Sequence, residues 1–115
     1  MIPSSRKVGK DLFEALIKKG RSSVSESFSA KVLVGTTGLP ARFSVVVAKK
    51  LEKSAVQRNA YRRRVYSLLR PFLDRVSPDT LCVLFLKKKV NKSNLPSLAV
   101  EIETFLKKAA LLKSK

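Results

Sequence analysis

Ala48-Lys49-Lys50-Leu51-Glu52-Lys53-Ser54-Ala55-Val56-Gln57-Arg58-Asn59-Ala60-Tyr61-Arg62-Arg63-Arg64-Val65-Tyr66-Ser67-Leu68-Leu69-Arg70 is the stretch whose periodicity decides the fold. Residues 49–70 carry eight basic side chains and one acid. Ser54 and Gln57 have capping-box spacing, which predicts a long helix over residues 54–73. At about 100° per residue, Tyr61, Val65, Leu68, Leu69 and Phe72 fall in one arc roughly 100° wide. That arc is the face expected to pack on a sheet. Asn59, Arg62, Arg63, Tyr66 and Arg70 fall in a second arc of similar width. Arg64 lies on the opposite flank, and Arg58 lies close to the apolar arc. One helix thus offers a core face and a separate guanidinium-rich face.

On the N-terminal side, a helix is predicted over about 9–19. Asp11 and Glu14 have capping-box spacing, Leu12, Phe13, Leu16 and Ile17 share one side, and Gly20 suits the stop. A short strand over 21–24 and a longer one over 28–34 follow. The turn Gly35-Thr36-Thr37-Gly38-Leu39-Pro40 leads into a β-branched strand over 42–48. Two strands around a Gly-rich turn suggest an antiparallel hairpin. On the C-terminal side, Ser77-Pro78-Asp79 reads as a turn before a strand over 80–87. The last helix is predicted over 95–112, with Leu98, Ile102, Phe105, Leu106, Ala109 and Leu112 on one side and Pro96 in its first turn. The fold class is therefore α+β: one small domain over 1–115, helices against one sheet, with a basic C-terminal tail from about 107.

The chain has 115 residues, 44% of them apolar, enough to bury a core. Lys and Arg number 25 against 8 acids, a formal charge of +17. Self-repulsion at that level costs stability, so a polyanion is the natural partner: basic side chains release condensed counterions when they meet phosphates. The single cysteine, Cys82, sits in an apolar run and excludes a disulfide framework. No histidine exists to activate it as a nucleophile, so it reads as a core residue. No apolar run reaches the roughly 20 residues that span a bilayer, and Met1 to Lys7 lacks the apolar segment of a signal peptide. A soluble, cytoplasmic protein is expected.

The basic helix face suits phosphate: guanidinium is weakly hydrated and bonds phosphate oxygens in a fork. Asn59 can bond a base edge or a 2′-hydroxyl, and Tyr66 can stack on an unpaired base. A merely solvated helix face is the bland alternative. It is weakened because acids for i,i+4 pairs are missing. Composition alone does not separate RNA from DNA.

Ala48-Lys49-Lys50, Ala55-Val56-Gln57-Arg58-Asn59 and Arg62-Arg63 closely resemble the signature of the ribonuclease P protein subunit. That family has a strand ending in Ser/Gly-Lys-Lys, then Ala-Val-x-Arg-Asn-Arg opening a helix, then a Lys/Arg-Arg pair, and the spacing matches without a gap. Phe13, Leu16, Ile17 and Gly20 look like its first helix and stop, Phe28 like its central-strand aromatic, and 81–88 and the last helix like its final elements. The chain departs from the pattern at Ala60, where the motif has a second Arg. It departs also at Arg64 (commonly aliphatic), Tyr66 (commonly Arg) and Lys31 (often aromatic).

The resemblance implies an αβββαβα sandwich with a central mixed sheet and a left-handed βαβ crossover, against the usual rule of handedness. It implies the accessory subunit of an endoribonuclease that matures the 5′ end of tRNA, with catalysis and Mg²⁺ belonging to the RNA. No catalytic residue and no metal ligand is assigned to the protein. Its acids are Asp11, Glu14, Glu26, Glu52, Asp74, Asp79, Glu101 and Glu103. None is paired at a two-metal spacing, and Glu101 and Glu103 at i,i+2 point apart on a helix. The implied contacts to ribonuclease P RNA are Lys49, Lys50, Lys53, Arg58, Asn59, Arg62, Arg63 and Tyr66. The implied cleft for the precursor-tRNA 5′ leader is Phe13, Ile17, Phe28, Lys31 and Arg42. Plain core packing is the competing reading of Phe13 and Phe28. No protein partner and no membrane is required. Lys87-Lys88-Lys89 and Lys107-Lys108 read as solubilising charge.

Three alternatives remain. A ribosomal or other structural RNA-binding protein shares the charge and size but needs no such spacing. A DNA-binding module lacks the preceding helix and tight turn of a helix-turn-helix. Membrane-surface binding is open to any cationic amphipathic helix.

Overall fold

The computed structural model describes residues 8, 10–34, 41–73, 75, 76, 80–91 and 93–108. The elements run α1 (Lys10–Lys19), β1 (Arg21–Val24), β2 (Phe28–Val34), β3 (Arg42–Val46), α2 (Ala55–Leu69), a 3-10 turn (Arg70–Phe72), β4 (Thr80–Leu86) and α3 (Leu95–Lys108). The strands form one mixed sheet in the order β1-β2-β4-β3.

β2 and β3 do not pair as a hairpin. β4 lies between them, antiparallel to β2 and parallel to β3. The reason is in β4 itself. Thr80 to Leu86 are all buried except half-buried Phe85, and a strand apolar on both faces belongs in the middle of a sheet. Parallel neighbours need a crossover, and α2 supplies it between β3 and β4. The turn at 35–40 and the turn at 77–79 lie outside the described residues.

Alternation sends the side chains of β2, β3 and β4 to two different cores. Phe28 and Ala30 of β2, Phe43 and Val45 of β3, and Cys82, Leu84 and Leu86 of β4 face α2 and α3. Phe28 meets Phe105 of α3 edge to face at 5.6 Å and 84°. On the other face, Leu81 and Val83 pack with Leu16 of α1, joined by Val8, Phe13, Leu33, Val46 and Phe85. The sheet is therefore covered by α1 on one side and by α2 and α3 on the other. Cys82 is fully enclosed, and burial pushes its thiol up to about 12.

Several boundaries differ from the sequence expectation: β3 ends at Val46 and not 48, and β4 at Leu86 and not 87. α1 begins at Lys10, so Asp11 stands inside the helix and not at its cap. α2 ends at Leu69, not 73, because Pro71 has no N–H and its ring would strike the preceding turn; the chain tightens into the 3-10 turn instead. α3 is described to Lys108, so Ala109, Leu112 and the tail beyond lie outside the described residues. At the start of α2, Ser54 is the cap as expected, its hydroxyl accepting from the Gln57 N–H at 3.3 Å.

Candidate nucleic-acid interface

Loop 48–54 is built by its own backbone and by one carboxylate. The N–H groups of Leu51 and Glu52 both donate to the Ala48 carbonyl, at 3.0 and 3.2 Å. Glu52 then accepts from the Tyr61 hydroxyl at 2.8 Å and from the Ser54 N–H at 3.3 Å, with Lys89 Nζ at 3.6 Å. The Tyr61 bond, seconded by Ser54, holds the Glu52 carboxyl below its ordinary value of 4.5; the same bond raises the Tyr61 phenol. Arg58 closes the loop, its Nη1 donating to the carbonyls of Glu52 at 3.0 Å and Lys53 at 2.9 Å. The product is a rigid turn from which Lys49, Lys50 and Lys53 stand exposed.

Of the eight residues predicted on this surface, seven reach solvent at least in part. Lys49, Lys50, Lys53, Asn59 and Arg63 are exposed; Arg58 and Arg62 are half-buried. Arg62 hydrogen-bonds the Asn59 side chain, which orients both. Arg58 is chiefly a brace for the loop. Tyr66 is the exception and is corrected here: it is only 6% exposed, and its hydroxyl accepts the Val45 N–H at 3.1 Å. β3 is an edge strand, and a buried edge N–H must find a partner. Tyr66 supplies it, so its ring belongs to the core and cannot stack on a base. The buried arc of α2 is Tyr61, Val65, Tyr66 and Leu69, turned by about 40° from the predicted one, with Leu68 left half-buried. That turn exposes a stripe the sequence reading missed: Ala60, Arg63, Arg64, Ser67 and Leu68 line a groove against Leu95 of α3.

The second predicted surface lies on the α1 face of the sheet. Cross-strand register puts Lys31 beside Val83 and Arg42 beside Leu81, and both partners face α1. Phe13 is half-buried there, and Ile17 is 36% exposed. Lys31 Nζ donates to the Ile17 carbonyl at 2.9 Å, a cation on the last turn of α1. Four of the five predicted residues therefore share one face. Phe28 does not: it is 1% exposed and packs under α3 on the opposite side, so it is corrected to a core residue. Half-buried Phe85 of β4 is the aromatic that the sheet itself presents on the α1 face, beside Phe13 of α1. It went unnoticed because β4 is apolar on both faces and gives no alternation to read.

Among the described residues, no three His, Cys, Asp or Glu side chains stand close enough to hold a metal ion, and no helix is long and apolar enough to cross a membrane. Residues 4–110 match the family model described as Ribonuclease P. The chain belongs to the ribonuclease P protein family. Within it, the ribonuclease P protein component of Synechococcus sp. (strain JA-2-3B'a(2-13)) is 34% identical over 80 residues, 70% of this chain and 60% of that protein. The chain thus spans less than two thirds of that relative's length. The ribonuclease P protein component of Nitrosomonas eutropha is 31% identical over 113 residues, 95% of this chain and 91% of that protein. The structure of the Staphylococcus aureus RNase P protein superposes with a TM-score of 0.78 at 19% identity, covering 96% of this chain and 100% of that one. The family fold is the α+β arrangement described above, three helices on a four-stranded mixed sheet.

Proposed function

We propose that this chain is the protein subunit of a ribonuclease P, docking on a catalytic RNA and holding the 5′ leader of precursor tRNA so that the RNA matures the 5′ end. The observation that carries the reading is α2. The helix contains no acid, buries Tyr61, Val65, Tyr66 and Leu69 inward, and leaves Asn59 and Arg63 exposed beside the lysines of loop 48–54. Such a face grips an irregular phosphate surface. The leader lies on the α1 face, where Phe13, Ile17 and Phe85 offer apolar contact and Lys31 and Arg42 offer charge. That mixture suits a strand bound by stacking and backbone contact without sequence readout.

In this reading Mg²⁺ and bond cleavage belong to the RNA. The protein contributes placement of the substrate and positive charge between two polyanions, which lowers the Mg²⁺ the complex requires. It works in the cytoplasm, with ribonuclease P RNA and precursor tRNA as partners.

Two measurements test the proposal. Single-turnover cleavage of a precursor tRNA by its ribonuclease P RNA at limiting Mg²⁺ is expected to accelerate when the protein is added; an unchanged rate and leader affinity would end the proposal. The double variant Arg62→Ala/Arg63→Ala is expected to flatten the salt dependence of RNA binding by about two charges' worth, and an unchanged slope would place the RNA on another face.

A further inference from the structure

We propose that the groove between α2 and the start of α3 is a receptor for a single unpaired base of the bound RNA; this rests on the RNA-binding reading above. Ala60, Arg63, Arg64, Ser67 and Leu68 lie at i, i+3, i+4, i+7 and i+8 and so form one stripe of α2. Leu95 of α3 forms the opposite side, and the open groove between them offers about 260 Å³. Ala60, Leu68 and Leu95 are half-buried and give an apolar floor, while Arg63 and Ser67 are exposed at the rim.

Arg64 is what makes the groove specific. Its Nη1 donates to the Val90 carbonyl at 2.8 Å, which ties the guanidinium to the segment between β4 and α3. A guanidinium plane is a stacking surface for a base, and one already held in place loses little freedom on binding. Exposed Arg63 is free to take the flanking phosphate, and the Ser67 hydroxyl can bond a base edge. Among the described residues, no carboxylate lines the groove. A flat apolar floor, a fixed cationic plane and a cationic rim together complement a nucleobase with its phosphate. The small side chain at position 60 keeps the floor open; a longer one would fill it.

The probe is a short RNA hairpin carrying one bulged 2-aminopurine, compared with the same hairpin fully paired. The protein is expected to bind the bulged hairpin about fivefold or more tightly, with a change in 2-aminopurine fluorescence on binding. Ala60→Leu, a good helix former that fills the floor, is expected to abolish the preference and the fluorescence change. Its affinity for the paired hairpin and its salt slope are expected to stay as they were. Ala60→Gln narrows the groove with a polar chain and is expected to act in the same direction, should the leucine variant fold poorly. Equal binding of the two hairpins, or a preference that survives both substitutions, overturns the groove assignment. Arg62→Ala/Arg63→Ala separates the two claims: if it leaves the salt slope on the paired hairpin unchanged, the outer α2 face is not the RNA surface assigned above, whatever happens at the groove.

Discussion

Tyr66 carries a ring that wants apolar neighbours and a hydroxyl that needs a hydrogen-bond partner, and the inner side of α2 provides both. The ring lies among the α2–sheet core, and the hydroxyl satisfies Val45 on the outer edge of β3. Val8 does the same for that edge from the other direction, its N–H donating to the Phe43 carbonyl at 3.2 Å. Tyr66→Phe would keep the ring and strand the Val45 N–H without its partner. A loss of about 1–3 kcal/mol in urea unfolding is expected, with RNA affinity of the folded protein unaltered. At this scale the sequence placed Arg63 and Asn59 on the outer face but misplaced Tyr66 and Phe28. The causes differ: Tyr66 stands at the border of the apolar arc of α2 and is assigned by what packs over it, whereas Phe28 lies three residues from Lys31 on β2, so strand alternation sends the two to opposite faces.

α1 is joined to β1 by Gly20 alone, so the chain turns from helix to strand within one residue. The Gly20 N–H donates to the Leu16 carbonyl at 2.8 Å. A Cβ at position 20 would sit 2.4 Å from that same oxygen and 3.0 Å from the Leu16 Cδ1. Leu16 is itself fully buried against Leu81 and Val83, so it has nowhere to move. Gly20→Ala is expected to lift α1 from the sheet and cost about 1–3 kcal/mol, seen as a lower urea midpoint. Leader affinity should fall with it, because Phe13 and Ile17 ride on α1. The sequence marked Gly20 as a helix stop; the need for close approach, rather than for an unusual backbone angle, emerged only from the packing. The same holds for Lys31, whose bond to the Ile17 carbonyl pins the last turn of α1 to the sheet.

Over the whole molecule, a charge of +17 works against compactness, and the few carboxylates that find partners matter more for it. Glu101 fastens the β1–β2 turn to α3, accepting from the Ser25 hydroxyl and, at 2.8 Å, from the Ser27 N–H. Burial alone would raise its carboxyl, but these two hydrogen bonds outweigh that and hold it below its ordinary 4.5. Glu52 is lowered in the same sense by Tyr61. For a carboxyl depressed in the folded state, the unfolded chain takes up the proton first as pH falls. The stabilisation is therefore complete above 4.5 and disappears as pH drops through the folded value. Urea midpoints taken from pH 7 downward are expected to fall steeply below that point, and Glu101→Gln is expected to shallow the fall. A flat profile would show that neither carboxylate is linked to folding.

From the residues alone came the order of the elements, the basic helix with its Ser54 cap, and the family signature at 48–63. Those are local properties: period, cap chemistry and spacing are written in consecutive residues. Strand order, the angle at which α2 meets the sheet and the choice of aromatic for the α1 face were decided by tertiary packing. β4 took the centre because it was greasy on both sides, and β3, left at the edge, drew Tyr66 inward to satisfy its backbone. The burial of Tyr61, Val65, Tyr66 and Leu69 together set which arginines remained outside.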